Sequence, residues 1–251
     1  MLALHAPLAL SFQPLITDDT GTQGAGGNQI EIALHRQEVK SVGDTTKTVT
    51  LPVVYTRGIS ERLDAFAGVS YMRVRSTIAE SAAEGHGNPA VGLKWRLYED
   101  AARKLSVAVK PELRLGVSTD EERRGLGSGR NGYSGLLIVT RQTGFGAVHV
   151  NYGFARVSYA LEANRKANRR VLHMVSVAPV FEVAEGWNLA VDLGLTTNPD
   201  RAQRAQMGYA EVGVTWSPGK NLELALGLVR HIGDGEPRSS ELTTGVTWRF
   251  K

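Results

Sequence analysis

The charged residues whose spacing could do chemistry lie on alternating positions. Lys94 and Arg96 interleave with Val91, Leu93, Trp95 and Leu97, while Lys110, Glu112 and Arg114 interleave with Val109, Pro111, Leu113 and Leu115. A spacing of two puts side chains on one face of a β-strand, so each segment presents a charged face and a greasy one. Later segments add carboxylates on their polar faces: Glu182, Asp192, Glu211, Glu223 and Glu241. Charges placed this way offer ionic chemistry, and two readings stand. They pair across a narrow interior as a structural network that closes it, or they set a transverse field across a water-filled passage and orient polar solutes. Catalysis has no comparable signal. His5, His35, His86, His149, His173 and His231 form no HExxH pattern and no close cluster with carboxylates, and no GxSxG elbow occurs. We expect no enzyme activity, no metal site and no cofactor.

The elements that must carry these residues are strands, and the sequence contains twelve segments of the same alternating kind. The first runs from about Gln29 to Val39. Leu105 to Val117 is the most regular, although Pro111 cannot donate to a ladder and predicts a bulge there. The last, Ser240 to Lys251, sets Leu242, Thr244, Val246, Trp248 and Phe250 against Glu241, Thr243, Gly245, Thr247 and Arg249. Connections alternate in length. Those at Ile59–Arg62, Tyr98–Lys104, Gln142–Gly146, Ala184–Gly186 and Pro218–Asn221 are short; those at Ser76–Gly87, Ser118–Asn131, Glu162–Arg170, Thr197–Gln206 and Ile232–Ser239 are mostly longer and more charged. A soluble sandwich has no reason to alternate in this way, whereas a membrane barrel with short periplasmic turns and longer outer loops does. Trp95, Trp187, Trp216 and Trp248 all stand near short turns, as a periplasmic aromatic belt requires.

Composition agrees with that fold class. No run approaches the roughly 18 apolar residues of a spanning helix, whereas barrel strands need only about ten alternating residues and leave an ordinary mean hydropathy; the value here is -0.18. With 28 glycines and no cysteine, nothing suggests a disulfide scaffold. The net charge of +4 is scattered along strands and forms no basic platform interleaved with aromatics, so nucleic acid is not an expected partner. Charges at mid-depth cannot face lipid, where Arg or Lys costs about 2–4 kcal/mol, so Lys94, Arg96, Lys110, Arg114, Glu112, Glu182, Asp192, Glu211, Glu223 and Glu241 are expected to line the interior.

Several stretches resemble a family of outer-membrane proteins associated with meta-pathway phenol degradation: QPLITDDTGTQGAGGNQIEI at Gln13–Ile32, GNPAVGLKWRLYED at Gly87–Asp100, VAVKPELRLGV at Val107–Val117, GLGSGR at Gly125–Arg130, and the final TTGVTWRF. The resemblance implies a twelve-stranded antiparallel barrel in the outer membrane of a Gram-negative bacterium, a channel for small, often apolar or aromatic, molecules. Its partners would be outer-membrane lipid, small solutes and the barrel-assembly machinery. A structural or adhesive surface protein acting through its loops, or a soluble β-barrel carrier, is the alternative. Residues 1–12 are read as an export-signal remnant, 13–28 as an irregular segment, and 29–251 as one barrel domain. The irregular segment cannot cross lipid. It either trails in the periplasm or tucks into the barrel as a plug, with Asp18 and Asp19 near the basic wall.

Overall fold

The computed structural model describes residues 14–41, 43–78, 82–232 and 238–251; the expected signal remnant, and most of the connection before the last strand, lie outside them. Thirteen strands form one antiparallel sheet: β1 (Asn28–Ser41), β2 (Asp44–Ser60), β3 (Leu63–Ser76), β4 (Ala83–His86), β5 (Ala90–Asp100), β6 (Leu105–Arg114), β7 (Arg130–Gln142), β8 (Gly146–Ser158), β9 (Val171–Ala184), β10 (Trp187–Thr197), β11 (Gln206–Gly219), β12 (Leu222–Ile232) and β13 (Arg238–Phe250). Neighbours in sequence pair by hairpins, and the β1–β13 pairing (Ile30 opposite Trp248) closes the ring. Closure leaves no edge, the condition for a sheet to sit in lipid. β4 is a short extra strand on the outer half of β3, where His86 opposes Tyr71, so the closed ring itself has twelve strands.

Period-two patterning sorts the two faces. Ile32, Leu51, Val69, Leu93, Leu137, Val175, Leu193, Val212, Leu226 and Val246 are all exposed on the outside, while Ala108, Ile138, Asn151, Asp192 and Glu211 are buried inside. The tryptophans gather at the end with the short turns. Trp187 stacks on its cross-strand partner Trp216 at 5.5 Å, and Trp248 on Phe250 at 4.6 Å.

Two expectations about β6 need correction. The strand ends at Arg114 rather than Val117, because the chain there turns into the outer connection: the Leu115 amide donates to the Pro89 carbonyl and the Val117 amide to the Ser128 carbonyl. No bulge forms at Pro111, which keeps register with Gly135; the register shift falls between Arg96 and Tyr98 on β5. Pro111 is tolerated because the β5–β6 ladder simply skips the pairs between Gly92/Glu112 and Trp95/Val109.

The outer connections carry two short helices, α1 (Thr119–Arg123) and α2 (Glu162–Ala167). Ser118 and Glu121 form a capping box that starts α1. Glu122, buried to 1%, then ties the two connections together. Its Oε2 accepts from the Gly129 and Ala160 amides at 2.6 and 2.7 Å, and its Oε1 from the Leu161 amide and Asn164 Nδ2 at 3.0 and 2.9 Å. The phenol of Tyr159, 2% exposed, is pushed up to about 12 by burial and by the Glu122 charge. Arg169 continues the chain of contacts, donating to the carbonyls of Asn198, Asp200 and Gln203. Three successive outer connections are thus joined by a buried carboxylate and a half-buried guanidinium.

Candidate functional site

The segment before β1 lies inside the barrel. Residues 14–27 contain no helix or strand, and several of their backbone amides are held instead by side chains of the inner wall. The Ile16 amide donates to Glu211 Oε2 at 3.2 Å, the Thr17 amide to Asp192 Oδ2 at 2.7 Å, the Asp18 amide to Asn151 Oδ1 at 2.7 Å, and the Gln23 amide to both Asp64 oxygens. Side chains add to this, with Thr17 Oγ1 on Ser176 at 2.6 Å and Thr20 Oγ1 on Ser106 at 2.5 Å. Leu15, Thr17, Asp18 and Thr20 are 4% exposed or less. The segment reaches β1 through a crossing that only glycine permits. Gly24 and Gly26 take φ of +72° and +77°, and a Cβ on Gly58 would lie 1.8 Å from the Gly24 carbonyl oxygen.

Charge anchors the centre of the segment. Lys94 Nζ donates to Asp18 Oδ1 and Asp19 Oδ1, each at 3.0 Å, and Lys110 Nζ to Asp18 Oδ2 at 2.6 Å. Burial alone would raise the Asp18 carboxyl; the Lys110 and Lys94 ammoniums outweigh it and hold it below the usual range. Asp19 is held at about 2 against the same burial cost, chiefly by Lys94.

The other residues expected in the interior divide into separate sets. Arg114 pairs with Glu112 at 2.6 Å on its own strand, above the Lys94–Lys110 pair. Arg96 lies toward the short turns, on the Glu61 carbonyl at 2.8 Å and beside Glu99. Glu241 holds His35 at 2.7 Å and Gln37 at 3.0 Å, and Glu223 faces Arg249 at 3.8 Å and Ser217. Residues 16–19 stand between Lys94 and Lys110 on one wall and Asp192 and Glu211 on the other, bonded to both sides. Glu182 is a correction. It is exposed at the rim beside the Gln142–Gly146 turn, because its strand has already run past the interior at that depth.

Sequence reasoning missed Thr17, Thr20, Asp64, Asn151 and Glu122. Uncharged Thr and Asn on an inward face carry no signal of a backbone partner far away in the chain. Glu122 had one: the Ser118-x-x-Glu121 pattern announces a helix start in that connection.

Outward of the segment, the barrel holds a cavity of ≈ 360 Å³. Leu15 and Ile16 form its floor, and Val54, Met72, Leu126, Leu172, Met174 and Tyr209 supply apolar wall. Polar side chains also line it, the ionisable ones including Arg114 and Glu112 on one side and His35 and Glu241 on another. Its size falls within the roughly 300–1,000 Å³ of small-molecule sites.

A closed barrel with an apolar outer band, an aromatic belt and a polar, partly filled interior defines the class of outer-membrane β-barrel proteins. Solved structures of that class share the fold. The COG4313 outer membrane channel from Pseudomonas putida F1 superposes with a TM-score of 0.73 at 14% identity, covering 92% of this chain and 98% of that one. The KdgM porin gives 0.55 at 10% identity over 87% and 99%. The CymD monoaromatic hydrocarbon channel gives 0.50 at 8% identity over 90% and 88%. No curated protein is significantly similar in sequence. The chain belongs to the family described as "Putative MetA-pathway of phenol degradation", whose model matches residues 15–250.

Proposed function

We propose that the protein is an integral outer-membrane channel that lets small, largely apolar molecules, aromatic ones among them, cross passively through its lumen. The observation that carries this reading is the stacking of two features along one axis: an apolar cavity of ≈ 360 Å³, and beneath it a segment without regular structure, held by side chains. A molecule entering from outside is desolvated in the cavity and meets Leu15 and Ile16. Residues 14–23 act as a plug, and passage requires their displacement. The fold shared with a monoaromatic hydrocarbon channel supports the same choice of solute.

The test is uptake into proteoliposomes. Monoaromatic compounds should enter faster than into protein-free vesicles, while a sugar of similar mass should not; a variant lacking residues 14–27 should admit both. Equal rates with and without protein, for the wild type and the deletion alike, would leave the loop-based surface role as the better reading.

A further inference from the structure

The outward face carries a second built feature, at the end where the loops lie. On β1 the outward column runs Ile30, Ile32, Leu34 and then Arg36, Glu38 and Lys40. The neighbouring strands change character at the same height. β3 passes from Val69 and Tyr71 to Arg73 and Arg75, and β12 interposes Arg230 between Leu228 and a final Ile232. β2 carries Lys47 one step inside the Thr45 that ends its column, and β13 begins its own on Arg238. The pairings place these residues side by side: Lys40 opposes Arg238, Glu38 opposes Lys47, Lys47 opposes Arg75, and Arg230 opposes Ser240, which in turn opposes Glu38. All seven basic side chains are exposed. With strands about 4.8 Å apart, the patch crosses five of them and spans roughly 20 Å.

Its internal pairing is uneven. Glu38 takes both lysines, Lys40 at 2.9 Å and Lys47 at 3.4 Å, and Glu84 takes Arg73 at 3.6 Å. Arg36, Arg75, Arg230 and Arg238 have no carboxylate partner among the described residues. What remains is a set of guanidinium groups, whose flat forks match phosphate in a bidentate way that ammonium groups do not. Other strands carry fewer cations on their outward columns at this height. The outward columns of β10 and β11 finish on Leu195, Thr197, Gly208 and Ala210, and on β8 a single Arg156 sits between Tyr133 and Val171.

We infer that this face, formed by the outer ends of β12, β13, β1, β2 and β3, binds the phosphate-bearing headgroup of an anionic lipid in the outer leaflet. The patch begins where the apolar band stops, which is the depth of headgroups. Outward-facing charges are tolerated there and not below. Clustered cations near a membrane surface attract anionic lipid, each adding to the binding. The inference rests on the outer-membrane reading above and extends it from solute to lipid.

The experiment uses the full folded chain in detergent, with bound lipid read by native mass spectrometry. The probes are diphosphoryl lipid A and the same lipid with its phosphates removed. Wild type should retain the diphosphoryl form and hold the phosphate-free form poorly. The combined variant Arg36→Gln, Arg75→Gln, Arg230→Gln, Arg238→Gln should lose retention roughly tenfold or more, while Arg156→Gln stays at wild-type level. Heat-modifiable migration in gels confirms that each variant is a folded barrel. Equal retention of both lipids by wild type, or undiminished retention by a folded combined variant, would overturn the inference. Solute uptake by the same variant should be unchanged, so failure of the lipid site and failure of the channel reading give different results.

Discussion

Replacing Asp18 by asparagine tests how the plug is held. The carboxylate is 2% exposed and answers two ammoniums, Lys110 at 2.6 Å and Lys94 at 3.0 Å. Asparagine keeps the shape and can still accept from the Asp19 amide, which now donates to Asp18 Oδ1 at 2.8 Å. The charge is what goes. Removing one partner of a buried ion pair costs about 3–5 kcal/mol, and because Lys94 keeps Asp19 at 3.0 Å the lower end applies. About 3 kcal/mol moves the equilibrium between seated and displaced segment roughly 100-fold toward displacement. In planar bilayers, Asp18→Asn should show openings far more often than wild type, with the same amplitude as the variant lacking residues 14–27. A folded Asp18→Asn barrel with wild-type opening frequency would refute the argument that these ion pairs set the seated state.

Three further outcomes follow from the geometry. Asp18 and Asp19 both titrate below the ordinary 3.8, Asp19 at about 2, so their contribution is complete above about pH 4 and is lost as pH falls through the lowered values; the permeability difference between wild type and the Asp18→Asn, Asp19→Asn double variant should be constant from about pH 7 to pH 4 and shrink only below that, and a difference that fades already between pH 6 and 5 would contradict the assignment. Glu122→Ala strands the Gly129, Ala160 and Leu161 amides, at about 1–3 kcal/mol per buried group left unpaired. Hydrogen exchange at residues 119–130 and 159–168 should accelerate while the strands keep their protection; no change in those connections would show that the carboxylate does not hold them. Leu193→Arg puts a charge on the outer face at mid-depth, where it is 44% exposed, and should cost about 2–4 kcal/mol in folding into bilayers, measured by denaturant titration in liposomes; an unchanged midpoint would place that face away from lipid.

The faces of the strands were legible because lipid demands a strict period of two. The same residues, from Ile32 on β1 to Trp248 on β13, stand outside as the alternation requires. Depth was not legible. Glu182 has the inward parity of Ser176, yet it lies at the rim, since parity says nothing about how far along the axis a residue sits. The end of β6 escaped for a related reason: Leu115 and Val117 continue the alternation, but the Pro89 and Ser128 carbonyls take their amides. Within the lumen, the charges of Lys94, Lys110, Asp18 and Asp19 advertised themselves. The role of Asp192 and Glu211 did not, because they serve the backbone amides of Thr17 and Ile16 rather than a cation, and no local pattern encodes that.

Passage through the lumen requires movement of the segment inside the barrel, and the chain offers a clean way to stop it. It has no cysteine of its own, and Thr17 Oγ1 lies 2.6 Å from Ser176 Oγ on the wall. In a Thr17→Cys, Ser176→Cys variant, oxidation joins the segment to β9. Uptake of a monoaromatic solute into proteoliposomes should fall to the protein-free rate in the oxidised state and return when the disulfide is reduced. The same rate in both states, with the cross-link verified by mass, would contradict passage through the lumen past a displaceable plug.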